Sequence, residues 1–177
     1  MNPQAQIKRY GKAQKGMTLI EILIVVAILG ILANIAAPII RRAILRAQAA
    51  KIIADFTAVR KAAIEHYRDH GAFPRDRYPG ASPRELAPYL KDAVQWRAGS
   101  GEWQYDWDMW IRNDGRPQHP RSAVLVGFSV TTRNRDLIRQ IEKQYDGPFW
   151  WTLNNNYTFV IEPVPGRNPP RQPQWLR

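Results

Sequence analysis

Hydrophobic residues fill nearly every position from Met17 to Ile40, and 14 of these 24 residues are Leu, Ile or Val. A helix rises about 1.5 Å per residue, so this stretch is long enough to cross a bilayer core of about 30 Å. Residues 1–16 contain four basic side chains and no acidic ones. By the positive-inside rule, this predicts a single membrane-spanning helix whose N-terminal end faces the cytoplasm.

Beyond Pro38 the apolar positions become periodic, with charged residues between them. They recur at helical spacing, which predicts an amphipathic continuation of the same helix: Ile44, Ile52, Phe56, Val59, Ala63 and Tyr67. Gly71 is a typical helix stop. The sequence therefore predicts one helix from Met17 to His70 whose second half packs against a domain.

The remaining chain alternates between strand and helix signals. "SPRELAPYL" predicts a short helix that begins with a capping box at Ser82, and "EWQYDWDMWIR" alternates like a half-buried strand. "AVLVGFSVTT" predicts a second strand, "NRDLIRQIEKQYDG" a helix and "YTFVIEP" a third strand. The pattern indicates an α+β fold in which the long helix packs against a small, mostly antiparallel sheet. The predicted segments are a leader (1–16), the helix (17–70), a head (71–162) and a proline-rich tail (163–177).

Glu21 is the ionisable residue within the apolar run. A carboxylate inside a membrane is costly and is usually paired, yet the run contains no basic residue. Among packed apolar helices, a cationic partner would favour one register strongly. The alternative is a carboxylate that reaches the headgroups from near the helix end. Gly30 and Pro38 weaken the same helix and predict a stretch that can kink or extend.

These residues resemble a known family, the type IV pilins and the type II secretion pseudopilins. The resemblance runs through Lys15-Gly16-Met17-Thr18-Leu19-Ile20-Glu21, continues along the apolar helix and fades after about Tyr67. It implies that a prepilin peptidase cuts between Gly16 and Met17 and methylates the new amine. It also implies that Glu21 meets the terminal amine of a neighbouring subunit, and that the helix loosens between Gly30 and Pro38 in the filament.

The resemblance implies a structural, non-enzymatic subunit that is held in the inner membrane with its C-terminal part in the periplasm until it enters a filament. Its implied partners are the peptidase, other copies or related subunits, the inner-membrane assembly platform and membrane lipid. The chain has no cysteine, so the disulfide loop that is frequent in type IV pilins cannot form, which favours a type II secretion pseudopilus. The alternatives are a type IV pilus subunit and a membrane-anchored periplasmic binding or hydrolytic domain.

Major pseudopilins usually carry calcium, and four oxygen-bearing residues here are candidate ligands: Asp106, Asp108, Asn113 and Asp114. Their spacing matches no EF-hand, and a polar sheet face followed by an Asn-Asp-Gly turn explains them without an ion. The expectation is therefore no cofactor, with calcium as the alternative.

Other chemistry has weaker support. His66 and His70 are one helical turn apart and could hold zinc, but His119 lies in a distant loop and no third ligand is evident. The Asp106–Asp108 pair is better explained by a solvated strand face than by a glycosidase site. The net charge of +11 is spread thinly along the chain. The cluster Arg41, Arg42 and Arg46 fits lipid headgroups or a neighbour's acids better than nucleic acid.

Overall fold

The computed structural model describes residues 16–90, 94–97, 101–110, 124–152 and 155–163. The chain divides into two compact units, residues 1–41 and 42–177. The described helices and strands follow one another as α1 (Leu19–His70), a 3₁₀ turn (Arg84–Leu86), α2 (Ala87–Leu90), β1 (Gln104–Met109), β2 (Val124–Thr131), α3 (Arg135–Gln144), β3 (Phe149–Thr152) and β4 (Asn156–Pro163).

In the first unit, the described residues form the apolar part of α1. Its large hydrophobic side chains are exposed throughout, and none of the most apolar 18-residue window is buried. By length and composition this helix can cross a membrane. The helix is continuous through Gly30 and Pro38.

In the second unit, α1 buries one narrow stripe. Most of its buried positions are three or four residues apart, which places them on one side of the helix: Leu45, Ala49, Ile52, Phe56, Val59, Ala63 and His66. Ile44 and Tyr67, which share the predicted periodicity, are 52% and 47% exposed. The helix ends at His70, and Gly71 adopts a left-handed φ of 70°, where its amide donates to the carbonyl of Tyr67 at 2.8 Å.

Four antiparallel strands form one sheet in the order β1-β2-β4-β3. Its inner face carries large aromatic side chains, because every second residue of a strand points to the same side. Phe128 and Phe159 are fully buried there, and the Phe159 ring stacks on Phe56 of α1 with 4.6 Å between centroids. This aromatic cluster joins α1 to the sheet and forms the centre of the core.

The edge strand β1 is covered by two neighbouring segments. The amide of Gly80 donates to the carbonyl of Tyr105 at 2.7 Å, and the amide of Tyr105 donates to the carbonyl of Trp96 at 2.9 Å. Arg97 forms an isolated antiparallel bridge with Gln104. These bonds use backbone groups that an open sheet edge would leave unpaired.

The predicted α+β fold is confirmed: a long helix packs against a small antiparallel sheet. The structure adds β3, which the sequence analysis did not identify. The predicted capping box at Ser82 is wrong, because the Ser82 hydroxyl donates to the carbonyl of Pro83 and the 3₁₀ turn that follows has no side-chain cap. Residues 1–15 and 164–177 lie outside the described residues, so the leader and most of the tail remain predictions.

Candidate functional site

Glu21 lies in the first turn of α1 and forms reciprocal hydrogen bonds with Thr18. The amide and the hydroxyl of Thr18 donate to Glu21 Oε2 at 2.7 and 2.8 Å, and the Glu21 amide donates to Thr18 Oγ1 at 3.4 Å. This is the geometry of a capping box, in which the side chains satisfy amides that the first turn leaves unpaired. Thr18 was not identified from the sequence, although a threonine three residues before a glutamate is the usual sequence pattern of a capping box.

The predicted processing and flexibility residues lie on the same exposed segment. Gly16 and Met17 precede the helix, and Met17 is 65% exposed. A Cβ atom added at Gly16 or Gly30 would meet no heavy atom within 4 Å, so neither glycine is required by local packing. The cleavage, methylation and flexibility assigned to these residues stay predictions.

Asp106 and Asp108 share the outer face of β1, opposite its aromatic face. The prediction that this face is solvated is wrong, since Asp106 is only 8% exposed and its Oδ1 has no hydrogen-bond partner among the described residues. Asp108 accepts a hydrogen bond from the hydroxyl of Ser129, which also bonds Thr158 at 2.8 Å. The buried polar row therefore crosses three strands.

Asp76 joins these two aspartates from the segment that follows α1. Its Oδ2 lies 3.5 Å from the amide of Met109, and its charge raises the pKa values of both Asp106 and Asp108. We call Asp76, Asp106 and Asp108 the carboxylate cluster. Within the described ranges no salt bridge involves any of its members. Asp76 could not be identified from the sequence, because it lies about 30 residues before the strand and only the fold brings it to the cluster.

Burial is the main cause of the altered acidity of the cluster. It raises the pKa of Asp106 to about 7, with further contributions from the charges of Asp108 and Asp76. It raises the pKa of Asp108 to about 6, although the hydrogen bond from Ser129 opposes the change. The pKa of Asp76 is also raised by burial. At neutral pH the cluster therefore holds negative charge in a poorly solvated place.

No three acidic or histidine side chains in the described part of the chain are arranged to hold a metal ion. Asn113, Asp114 and His119 lie outside that part, so the calcium alternative stays a prediction. The Nδ1 atoms of His66 and His70 bond the carbonyls of Ala72 and His66 at 2.9 and 3.1 Å, and the two rings stack with 4.4 Å between centroids. This pairing gives both histidines a structural role at the helix end.

A second buried carboxylate, Asp55, links α1 to the sheet. Its Oδ2 accepts hydrogen bonds from the hydroxyl of Tyr105 at 2.7 Å and from Lys51 Nζ at 2.8 Å. Asp55 is 7% exposed, so these two donors replace the water that burial removes. The bond also raises the pKa of Tyr105 far above its usual range, with burial as the larger cause.

Comparison with known proteins gives one family profile and several curated relatives. A family profile described as "Prokaryotic N-terminal methylation motif" matches residues 11–36. The chain is 44% identical over 63 residues to the type IV major pilin protein PilE of Neisseria gonorrhoeae, covering 36% of this chain and 38% of that protein. It is 42% identical over 90 residues to the fimbrial protein EcpC of Eikenella corrodens, covering 50% and 59% of the two chains.

A fimbrial protein of Pseudomonas aeruginosa is 50% identical over 52 residues, which is 29% of this chain and 34% of that protein. The chain therefore spans between a third and three fifths of the length of these relatives. No solved structure matches. The matched profile covers the segment that contains Gly16, Met17 and Glu21.

Proposed function

We propose that this chain is a structural subunit of a type IV pilus, because residues 11–36 match the prokaryotic N-terminal methylation motif and its relatives include a type IV major pilin and fimbrial proteins. In this proposal a prepilin peptidase removes residues 1–16 and methylates Met17. The apolar half of α1 then holds the subunit in the inner membrane, with the head in the periplasm, until the subunit enters the filament.

The exposed apolar surface of α1 carries the proposal. Its large side chains are 44% to 78% exposed between Leu19 and Ile44, far beyond what a soluble surface normally presents. A bilayer covers such a surface before assembly, and the equivalent helices of neighbouring subunits cover it afterwards. Both coverings fit a protein that leaves the membrane only by joining a helical bundle.

Glu21 would fix the register of that bundle. Thr18 donates two hydrogen bonds to Glu21 Oε2, and no group among the described residues donates to Oε1. We propose that the methylated amine of Met17 in an adjacent subunit meets this carboxylate. The low dielectric between packed helices makes such a pair favourable in one register and costly in others.

The relatives are pilins and fimbrial proteins, which favours a pilus over the secretion pseudopilus expected from the sequence. That preference rested on the absence of cysteine, which excludes a disulfide but does not identify the filament. The proposed role is structural, without catalysis. Its partners would be the peptidase, other pilins, the inner-membrane assembly platform and lipid.

Replacing Glu21 with alanine tests the assembly role. We expect E21A to remain in the membrane after carbonate extraction and to lower the yield of sheared surface fibres at least tenfold. The matched control is Glu65→Ala, which removes a partly exposed acid of the same helix that pairs with Lys61 at 4.0 Å. A normal fibre yield from E21A, or an equal loss from E65A, would contradict the role.

Deletion of the gene separates the two filament types. Loss of long surface fibres with intact protein secretion supports the pilus, and the reverse result supports the pseudopilus. Mass spectrometry of the membrane-extracted protein tests processing directly, since we expect a methylated Met17 at its N-terminus. A chain that still begins at Met1 would contradict the proposal as a whole.

A further inference from the structure

An open groove of about 830 Å³ lies at one end of the sheet. The start of β1, the end of β2, the loop before α3 and the start of β4 meet there. Its lining includes Arg97, Gln104, Arg133, Asn134 and Asn155. Its volume is within the usual range for sites that bind small ligands.

Hydrogen-bond donors dominate the rim of this groove. Arg97 and Arg133 approach it from two separate loops, and Arg133 has no hydrogen-bond or ion-pair partner among the described residues. Asn134 Oδ1 accepts from the amides of Asp136 and Leu137 at 3.1 and 3.2 Å, so its amide nitrogen is left as a donor. Glu102 is the carboxylate on the lining, and it accepts a hydrogen bond from Gln48.

The fold holds Arg97 and Asn134 in place without a ligand. Arg97 lies across Gly80, where a Cβ atom would collide with its side chain, and its Nη2 donates to the carbonyl of Pro79 at 3.4 Å. Thr132 ties the other side of the groove together, because its hydroxyl donates to the carbonyl of Glu102 at 2.8 Å and accepts from the amide of Asn134 at 3.1 Å. Donors that are ordered before binding lose less entropy when a ligand arrives.

This chemistry selects among classes of ligand. Two guanidinium groups repel metal cations and favour carboxylate or sulfate groups. The aromatic lining residue is Trp103, which is only 7% exposed and so offers no platform for stacking nucleobases. The groove crosses strand ends rather than an open strand edge, so an added peptide strand would find no backbone ladder there.

We propose that the groove binds an anionic carbohydrate, a sugar chain that carries carboxylate or sulfate groups. The two arginines bind the acidic group, and the side-chain amides of Gln104, Asn134 and Asn155 bind ring hydroxyls. This site belongs to the head and does not depend on whether the chain enters a pilus, so it adds a ligand-binding activity to the proposed structural role.

Titration of the detergent-solubilised full-length protein tests the site. The probes are a hexagalacturonate for the carboxylate form and a heparin-derived hexasaccharide for the sulfate form, with neutral maltohexaose as the control. We expect saturable binding of one or both acidic sugars and none of maltohexaose at the same concentration. Arg133→Gln and Arg97→Gln should each weaken binding about tenfold, which is the loss of about 1.4 kcal/mol.

Arg139→Gln provides the matched control, because it removes the same charge from an exposed arginine that pairs with Asp136 at 3.0 Å and does not line the groove. Its affinity should stay within twofold of the parent. The proposal is overturned if neither acidic sugar binds, if R139Q weakens binding as much as R133Q, or if a single-stranded DNA of equal charge binds as tightly with the same dependence on Arg133. Arg133 is exposed and has no partner among the residues that the structure describes, so R133Q should retain the fold on which the comparison depends.

Discussion

The carboxylate cluster makes the head less stable as pH rises. In the unfolded chain an aspartate titrates near 3.8, whereas burial raises the folded pKa of Asp106 to about 7 and that of Asp108 to about 6. A carboxyl whose folded pKa is raised holds its proton more tightly in the folded state. Its stabilising contribution is complete below about pH 4 and is lost as pH rises through 7.

The size of the effect follows from the same linkage. Between pH 5 and pH 7 the folded protein retains a proton at Asp106 that the unfolded chain has already released, and each pH unit corresponds to about 1.4 kcal/mol. For Asp106 these two pH units correspond to about 2.7 kcal/mol before solvent screening, which reduces the effect, so we expect about 2 kcal/mol less stability at pH 8 than at pH 5.

Urea unfolding followed by tryptophan fluorescence measures this change. All seven tryptophans lie at or beyond residue 96, so the signal reports the head rather than the membrane helix. Asp106→Asn should flatten the pH dependence and raise stability at pH 8 by about 1 to 2 kcal/mol, because an amide keeps the shape of the carboxyl without its charge. Asp136→Asn removes an exposed acid from α3 and should leave the pH dependence unchanged.

The surroundings of Asp106 make this result specific. The groups that face it are Asp108 on its own strand, Asp76 from the preceding segment, and the uncharged hydroxyls of Ser129 and Thr158. A head that gains stability from pH 5 to pH 8 would refute the reasoning. An undiminished pH dependence in D106N would refute the assignment to this residue.

Three further predictions concern the hydrophobic core and the calcium alternative. Tyr105→Phe should lower the free energy of unfolding by about 1 to 2 kcal/mol, because Asp55 loses its buried hydroxyl donor. The control Tyr78→Phe, at an exposed ring, should change it by less than about 0.5 kcal/mol. Phe56→Ala should lower the free energy of unfolding by about 3 to 4 kcal/mol in the same urea assay, because it leaves a cavity beneath the sheet. The control Ile44→Ala should lower it by less than about 0.5 kcal/mol, because Ile44 is 52% exposed. If the calcium alternative holds, 1 mM calcium should raise stability at pH 8 and not at pH 5; no calcium dependence by calorimetry at pH 8 would reject it.

The periodic parts of the fold could be predicted from the sequence. The striped half of α1 and the alternating β1 were identified because their side chains are buried on one side only, which leaves a period in the sequence. β3 was missed because its residues Phe149-Trp150-Trp151-Thr152 show no alternation. A pattern also shows which residues share a face without showing what covers it, so the burial of Asp106 could not be foreseen.

The candidate site was predicted in the same uneven way. Glu21 was found because a charge inside an apolar run is conspicuous, and Thr18 lay at a spacing that could have been recognised. The position of Asp76 and the groove lined by Arg97 and Arg133 could not be foreseen, because both depend on contacts between residues far apart in sequence. Arg97 and Arg133 are ordinary surface arginines in the sequence, and the fold alone brings them to one groove.

The buried stripe of α1, which packs against the sheet, limits how this part of the chain can evolve. From Leu45 to His66 most of its buried positions recur every three or four residues, with Asp55 and Ala62 beside them on the same side. Deleting one residue within that interval would rotate all later side chains by about 100° and turn a charged flank toward the aromatic core. Variation among close relatives in this interval should therefore consist of substitutions, and gaps in their alignments should begin only beyond Gly71.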